Sequence, residues 1–189
     1  MSLPLYLKQD DVNKILSVRF NQPQSLNDRN RLMARLMLTT GLRVGELTNL
    51  QVEQIDFEER LIFVRRGKGG KDRIVFLEPE TAKLLKAYLG DRNSGRVFPI
   101  KPRRVQRIVK RMARVAGVRN ADLITPHKLR HTFSINWVQH GGDIESLRRL
   151  LGHSSLSTTQ IYLNFDFQYV RQLYDRLYAS KNQERRLFS

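Results

Sequence analysis

Between Asp10 and Arg19 the apolar residues Val12, Ile15 and Leu16 share one helical face behind Asp10, an N-cap residue type, which predicts a short first helix. The same spacing predicts a second helix over Asn27 to Thr40, ended by Gly41. From Val52 to Leu77 the pattern changes. Ile55-Asp56-Phe57, Leu61-Ile62-Phe63-Val64 and Ile74-Val75-Phe76-Leu77 are short β-rich runs parted by Glu58-Glu59 and by Gly67-Lys68-Gly69-Gly70. They predict a three-stranded antiparallel meander whose second turn is tipped with lysine.

Helical spacing returns over Pro79 to Leu89 and over Pro102 to Ala116, with proline suited to the first turn. Thr125-Pro126 joins an N-cap to a proline at the first helical position and opens a helix from His127 to about Gln139, stopped by Gly141-Gly142. Asp143 caps the next helix, which runs to Leu151 and ends at Gly152. Ser154 to Thr159 are placed to cap a short helix carrying Tyr162, and Asp166 to Ala179 form the last one. Without repeats or a dividing linker, the expected fold is one α+β domain, mostly helical, over residues 1–180. Residues 181–189 are expected to be a disordered tail.

Charge narrows the function. In 189 residues, 34 Lys and Arg face 18 Asp and Glu, a formal net charge of +16. Such an excess repels itself in a compact state and calls for an anionic partner. Lys101 to Arg119 hold eight Lys or Arg and no acid. Val105, Ile108, Val109, Met112, Val115 and Ala116 follow helical spacing, which leaves Arg103, Arg104, Arg107, Lys110, Arg111 and Arg114 mostly on the opposite side. That side is the expected contact for a DNA backbone. No apolar run is long enough to cross a membrane, and the start lacks a signal-peptide pattern. The absence of cysteine excludes disulfides, thiol nucleophiles and Cys-ligated zinc, and fits a cytoplasmic location.

Several chemistries lack their parts. Gly67-Lys68-Gly69-Gly70-Lys71 looks like a phosphate loop, but it joins two strands and Asp72 stands where a hydroxyl is needed. His127 and His131 share a helix face, yet residue 128 is Lys and no third metal ligand is evident, so no metal and no cofactor are expected.

Five pieces remain: Thr40-Gly41-Leu42-Arg43-Val44-Gly45-Glu46-Leu47, Gly67-Lys68-Gly69, His127-Lys128-Leu129-Arg130-His131, Leu151-Gly152-His153-Ser154, and Thr158-Thr159-Gln160-Ile161-Tyr162. In this order, across nearly the whole chain, they resemble the tyrosine recombinases, and most of all the Xer and phage-integrase branch. The resemblance implies that Arg43, Lys68, His127, Arg130 and His153 surround one scissile DNA phosphate and that Tyr162 attacks it. Arginine suits the task because its forked guanidinium stays protonated and meets phosphate oxygens in pairs. A phenol with a pKa of about 10 needs a cationic surrounding or a base, and His127 is the candidate acceptor of its proton. By resemblance Lys68 protonates the leaving 5′ oxygen, with Lys71 a nearby substitute and DNA contact. His153 is expected on a nonbridging oxygen, and Glu46 is expected to orient Arg43.

His131 is expected as buried support beside the site and His140 as an exposed helix end. Val170, Leu173, Tyr174, Leu177 and Tyr178 form an apolar stripe, so that helix is a candidate for docking on a neighbouring copy in a homo-oligomer on DNA. Lys128 departs from the family, which often has an acid there. The resemblance also implies a preceding helical DNA-binding domain, expected to lie outside this chain. The expected function is a site-specific recombinase catalytic domain acting on double-stranded DNA through a 3′-phosphotyrosyl intermediate. The alternatives are a DNA-binding module of the same fold and a topoisomerase-like nick-and-reseal enzyme.

Overall fold

The computed structural model describes residues 6–65 and 72–152. The chain runs α1 (Gln9–Ser17), α2 (Gln24–Thr40), α3 (Val44–Asn49), β1 (Ile55–Asp56), β2 (Leu61–Val64), β3 (Arg73–Phe76), α4 (Pro79–Leu89), α5 (Pro102–Val115), α6 (Pro126–Gln139) and α7 (Ile144–Leu151). The mostly helical α+β architecture expected from sequence is present. The lysine-tipped turn and both expected helices after residue 152 lie outside the described residues.

Strands β1, β2 and β3 form an antiparallel meander, with Ile62 opposite Val75 and Val64 opposite Arg73. Because side chains alternate, Ile62, Val64, Val75 and Arg73 face inward. Arg73 is an arginine in a line of core residues. The central helix α2 buries Leu32, Met33, Leu36 and Met37 and packs against α4 and α6. Phe133, Val138, Leu147, Leu150 and Leu151 form a smaller core where α6 meets α7.

Two helix starts differ from expectation. α1 begins at Gln9 behind Lys8, which gives no side-chain cap, and Asp10 sits in the first turn. α2 begins at Gln24, three residues before Asn27. Asn27 does not start the helix, because its buried amide accepts from the Phe20 N–H at 2.9 Å and donates to the Phe20 carbonyl at 3.1 Å. Its polar group ties down the α1–α2 connection from inside α2. Strand β3 begins at Arg73 and ends at Phe76, one residue earlier than expected at each end.

Where local caps exist, the expected boundaries hold. Thr125 accepts from the Lys128 N–H at the start of α6, and Asp143 accepts from the Ser146 N–H at 2.8 Å at the start of α7. Gly41 and Gly152 end α2 and α7 in the left-handed conformation, at φ 66° and 63°. At Gly41 a Cβ would lie 2.6 Å from the Phe133 ring, so space as well as φ demands glycine.

Candidate active site

The first turns of α6 carry His127 and Arg130 three residues apart, hence on one face. Arg130 is only 5% exposed. Its Nη1 donates to the Gly41 carbonyl and its Nη2 to the Leu151 carbonyl at 2.7 Å. Gly41 caps α2 and Leu151 is the last residue of α7, so one buried guanidinium sits on the carbonyl ends of two helices. Such carbonyls lack helical donors and carry partial negative charge, which stabilises a cation there. Arg130 thereby fixes α6 against the loop that leads, two residues beyond Gly41, to Arg43.

Arg43 stands at the N-terminus of α3 and is held twice by Glu46. Its backbone N–H donates to Glu46 Oε2 at 2.7 Å and its Nη1 to Oε1 at 3.0 Å. The expected orienting role of Glu46 therefore has a geometry. A second arginine grips the same carboxylate: Arg73 Nη1 donates to Oε1 and Nη2 to Oε2, both at 2.7 Å, while Arg73 Nε donates to the Leu150 carbonyl at 2.7 Å. The Arg73 and Glu46 side chains are 6% and 9% exposed. Burial pushes the Glu46 carboxyl up, but hydrogen bonds and charge from Arg73, then from Arg43, bring it down to about 2. It is a carboxylate at neutral pH.

His127 lies at the rim of this cluster. Partial burial lowers its pKa, and the nearby charges of Lys128, Arg130 and Arg43 lower it further, which favours the neutral imidazole. One turn on, His131 is buried, as expected of a supporting residue. Burial, with Lys128 and His127 nearby, brings its pKa down to about 4. His140 ends α6 exposed, as expected.

A cleft lined by Val44, Gln106, Arg107, Lys110 and His127 joins this cluster to α5. Val105, Ile108, Val109, Met112 and Ala113 are buried on α5, and the cations take the other side. Val115, expected among the packed residues, is 57% exposed. The cations differ among themselves. Arg103, Arg104 and Arg107 are exposed and join no ion pair among the described residues. Arg111 lies over the Phe20 ring, 4.4 Å from its centroid. Asp122, three residues beyond the acid-free stretch, folds back on a 3-10 turn (Ala121–Leu123) to pair with Arg114 and, at 3.3 Å, with Lys110. The basic face is thus partly neutralised by an acid that the linear stretch did not contain.

Of the six residues expected at the scissile phosphate, Arg43, His127 and Arg130 are brought together from segments far apart in the chain. Lys68, His153 and Tyr162 lie outside the described residues, as does Lys71. Sequence reasoning passed over Arg73. Its signal was present, since two-residue alternation puts it on the Val75 face of β3, where a charged group needs a buried partner. Among the described residues no group of three or more His, Asp or Glu is arranged to hold a metal ion.

This arrangement has relatives. The tyrosine recombinase XerA of Thermococcus onnurineus is 38% identical over 186 residues, covering 93% of this chain and 63% of that protein. The chain therefore spans less than two thirds of that relative's length. Among solved structures, the XerH site-specific recombinase bound to a palindromic difH substrate has a TM-score of 0.75 at 26% identity, covering 92% of this chain and 53% of that one. The catalytic domain of bacteriophage HP1 integrase has a TM-score of 0.68, also at 26% identity, and there the match covers 90% of this chain and 93% of the other. The phage integrase family model matches residues 6–169, which include the whole arginine cluster and the basic helix, and the chain belongs to that family.

Proposed function

We propose that residues 1–180 are the catalytic domain of a site-specific DNA recombinase, one that cuts and rejoins double-stranded DNA through a phosphotyrosine. The observation that carries this reading is the convergence of Arg43, held by Glu46, of Arg130, held by two buried hydrogen bonds, and of His127, whose pKa their charges help to lower. The Tyr162 oxygen attacks phosphorus, the bond to the 5′ oxygen breaks, and the DNA 3′ phosphate stays on the enzyme. His127 takes the phenol proton. Lys68 gives one to the departing 5′ oxygen, with Lys71 beside it. Arg43, Arg130 and His153 bind the nonbridging oxygens, where negative charge builds in the transition state. A free 5′ hydroxyl reverses the step on the same or another strand. The phosphodiester energy is retained in the tyrosyl ester, so the cycle consumes no nucleotide, and in this reading the arginines, His153 and Lys68 meet the charge that a metal would otherwise neutralise.

Arg103, Arg104, Arg107, Lys110, Arg111 and Arg114 supply backbone contacts that attract and align the duplex without reading its sequence. The palindromic substrate of the XerH relative presents one half-site twice. By the same symmetry we extend to this chain a pair or higher assembly of copies on one duplex, docked through the expected C-terminal helix. A cytoplasmic location suits this reading.

The test is covalent trapping. Wild type and Tyr162→Phe are incubated with supercoiled plasmid in EDTA and quenched with detergent. The expected result is protein on DNA with wild type alone. An adduct that persists in Tyr162→Phe removes Tyr162 as nucleophile. Tight, salt-sensitive binding with no adduct from either chain favours a DNA-binding module, and relaxed circles without exchanged strands favour a nick-and-reseal enzyme.

A further inference from the structure

The Glu46 carboxylate accepts four hydrogen bonds in a symmetric pattern. Oε1 takes Nη1 of Arg43 and Nη1 of Arg73; Oε2 takes the Arg43 backbone N–H and Nη2 of Arg73. The third hydrogen bond of Arg73 reaches the Leu150 carbonyl at the end of α7. The seat there is shaped for it, because a Cβ on Gly152 would lie 2.9 Å from Arg73 Cδ. A planar fork gripping both oxygens fixes the carboxylate plane, and that plane sets the direction of the Arg43 guanidinium. Charge makes a second argument. Glu46 with Arg43 alone sums to zero, whereas with Arg73 the trio carries one net positive charge, so the carboxylate that holds Arg43 does not cancel its attraction for an anion.

We propose that Arg73 is a positioning residue for the reaction: through Glu46 it aims Arg43 at the scissile phosphate and preserves that arginine's charge, while its tie to Leu150 sets β3 against the end of α7. This rests on the reading of Arg43 as a phosphate ligand. Arg73 itself touches no DNA.

The experiment compares full-length wild type with Arg73→Lys, Glu46→Gln and the double variant, using supercoiled plasmid in EDTA for adduct formation and a short duplex for affinity. Arg73→Lys keeps a cation but loses the fork. It is expected to unfold cooperatively and to bind duplex within about threefold of wild type, yet to form adduct on the order of tenfold more slowly at saturating DNA. The double variant is expected to be no slower than the slower single one, since both act through one carboxylate. Additive losses, or a loss confined to affinity or thermal stability, overturn the proposal. Where the lysine variant does not fold, Arg73→Gln, which loses both the fork and the charge, is expected to slow adduct formation at saturating DNA at least as much and also to weaken duplex binding.

A second readout needs no DNA. The Nη1–H resonance of Arg43, assigned by its disappearance in Arg43→Lys, is expected to be separate in wild type, where Glu46 holds that nitrogen, and to merge with the solvent-averaged arginines in Arg73→Lys or Arg73→Gln. An unchanged resonance overturns the positioning role. Wild type that forms no adduct refutes the cleavage reading alone, and the Arg43 resonance still decides what Arg73 does.

Discussion

Arg130 is 5% exposed and spans two helix ends through the Gly41 and Leu151 carbonyls, whereas Arg107, on the neighbouring α5, is exposed and joins no ion pair among the described residues. Both are assigned to phosphate. The buried arginine has lost most of its rotamer freedom on folding and gains little from attracting DNA over distance. The exposed one keeps its freedom and works through a long-range field that salt screens. On the proposed function, the difference separates two uses of the same side chain, one to complement a transition state and one to gather substrate.

The sharpest way to break that division is Arg130→Lys. An ammonium cannot serve two carbonyls and a phosphate with a fork's geometry. Adduct formation at saturating DNA is expected to fall about 10²- to 10³-fold, the range for loss of one preorganised transition-state donor, with affinity changed only a few-fold. A drop that falls mainly on affinity instead would erase the distinction.

The next effect is on stability. Folded His131 titrates at about 4 against a reference of 6.5, so between these values the unfolded chain binds more protons than the folded one. Stability is then fully present above about pH 6.5 and is lost as pH falls toward 4, by on the order of 3 kcal/mol. Glu46, at about 2 against 4.5, extends the acid loss below that window. Urea midpoints at pH 7, 5.5 and 4.5 should fall steeply for wild type and less for His131→Gln. Activity has its own pH dependence: protonation of His127 below its reference pKa removes the proton acceptor, so the acid limb of the adduct rate should have an apparent pKa under 6.5.

Smaller effects belong to the exposed face. Arg107→Ala should weaken duplex binding a few-fold and reduce the slope of log K against log salt by about 1, from roughly −5 for six neutralised phosphates. Fluorescence anisotropy at several salt concentrations measures both. The smallest expected change is a gain: Asp122→Asn releases Lys110 and Arg114 and should tighten binding about twofold at low salt, the gain fading as salt rises. No gain at low salt would mean that those two cations do not meet DNA.

What the sequence disclosed was local. Thr125-Pro126 and Asp143 announce α6 and α7 because a cap acts within three residues, and the β-branched runs announce the meander because alternation is written along one strand. The start of α2 is not legible because Asn27, a cap residue by type, serves Phe20 from inside the helix, whereas α1 starts one residue before Asp10 with no side-chain cap. Arg43, His127 and Arg130 were recognised by resemblance, but their partners were not, apart from Glu46. Arg130 rests on backbone carbonyls, which have no signature in a sequence. Arg73 joins Glu46 and Leu150 across 27 and 77 residues, and no local pattern announces such a pairing.

That spacing has a consequence for the order in which the molecule acquires its abilities. The cations of α5 lie within one stretch of chain and are in place once a single helix forms. The Arg130 contacts close loops of 89 and 21 residues, so they await most of the folding process. On the proposed function, a partly folded chain can therefore adhere to DNA before it can cut it. On that reading the strand-breaking cluster is competent only once α2, α6 and α7 have met, and any local unfolding that parts α2 from α7 takes it apart.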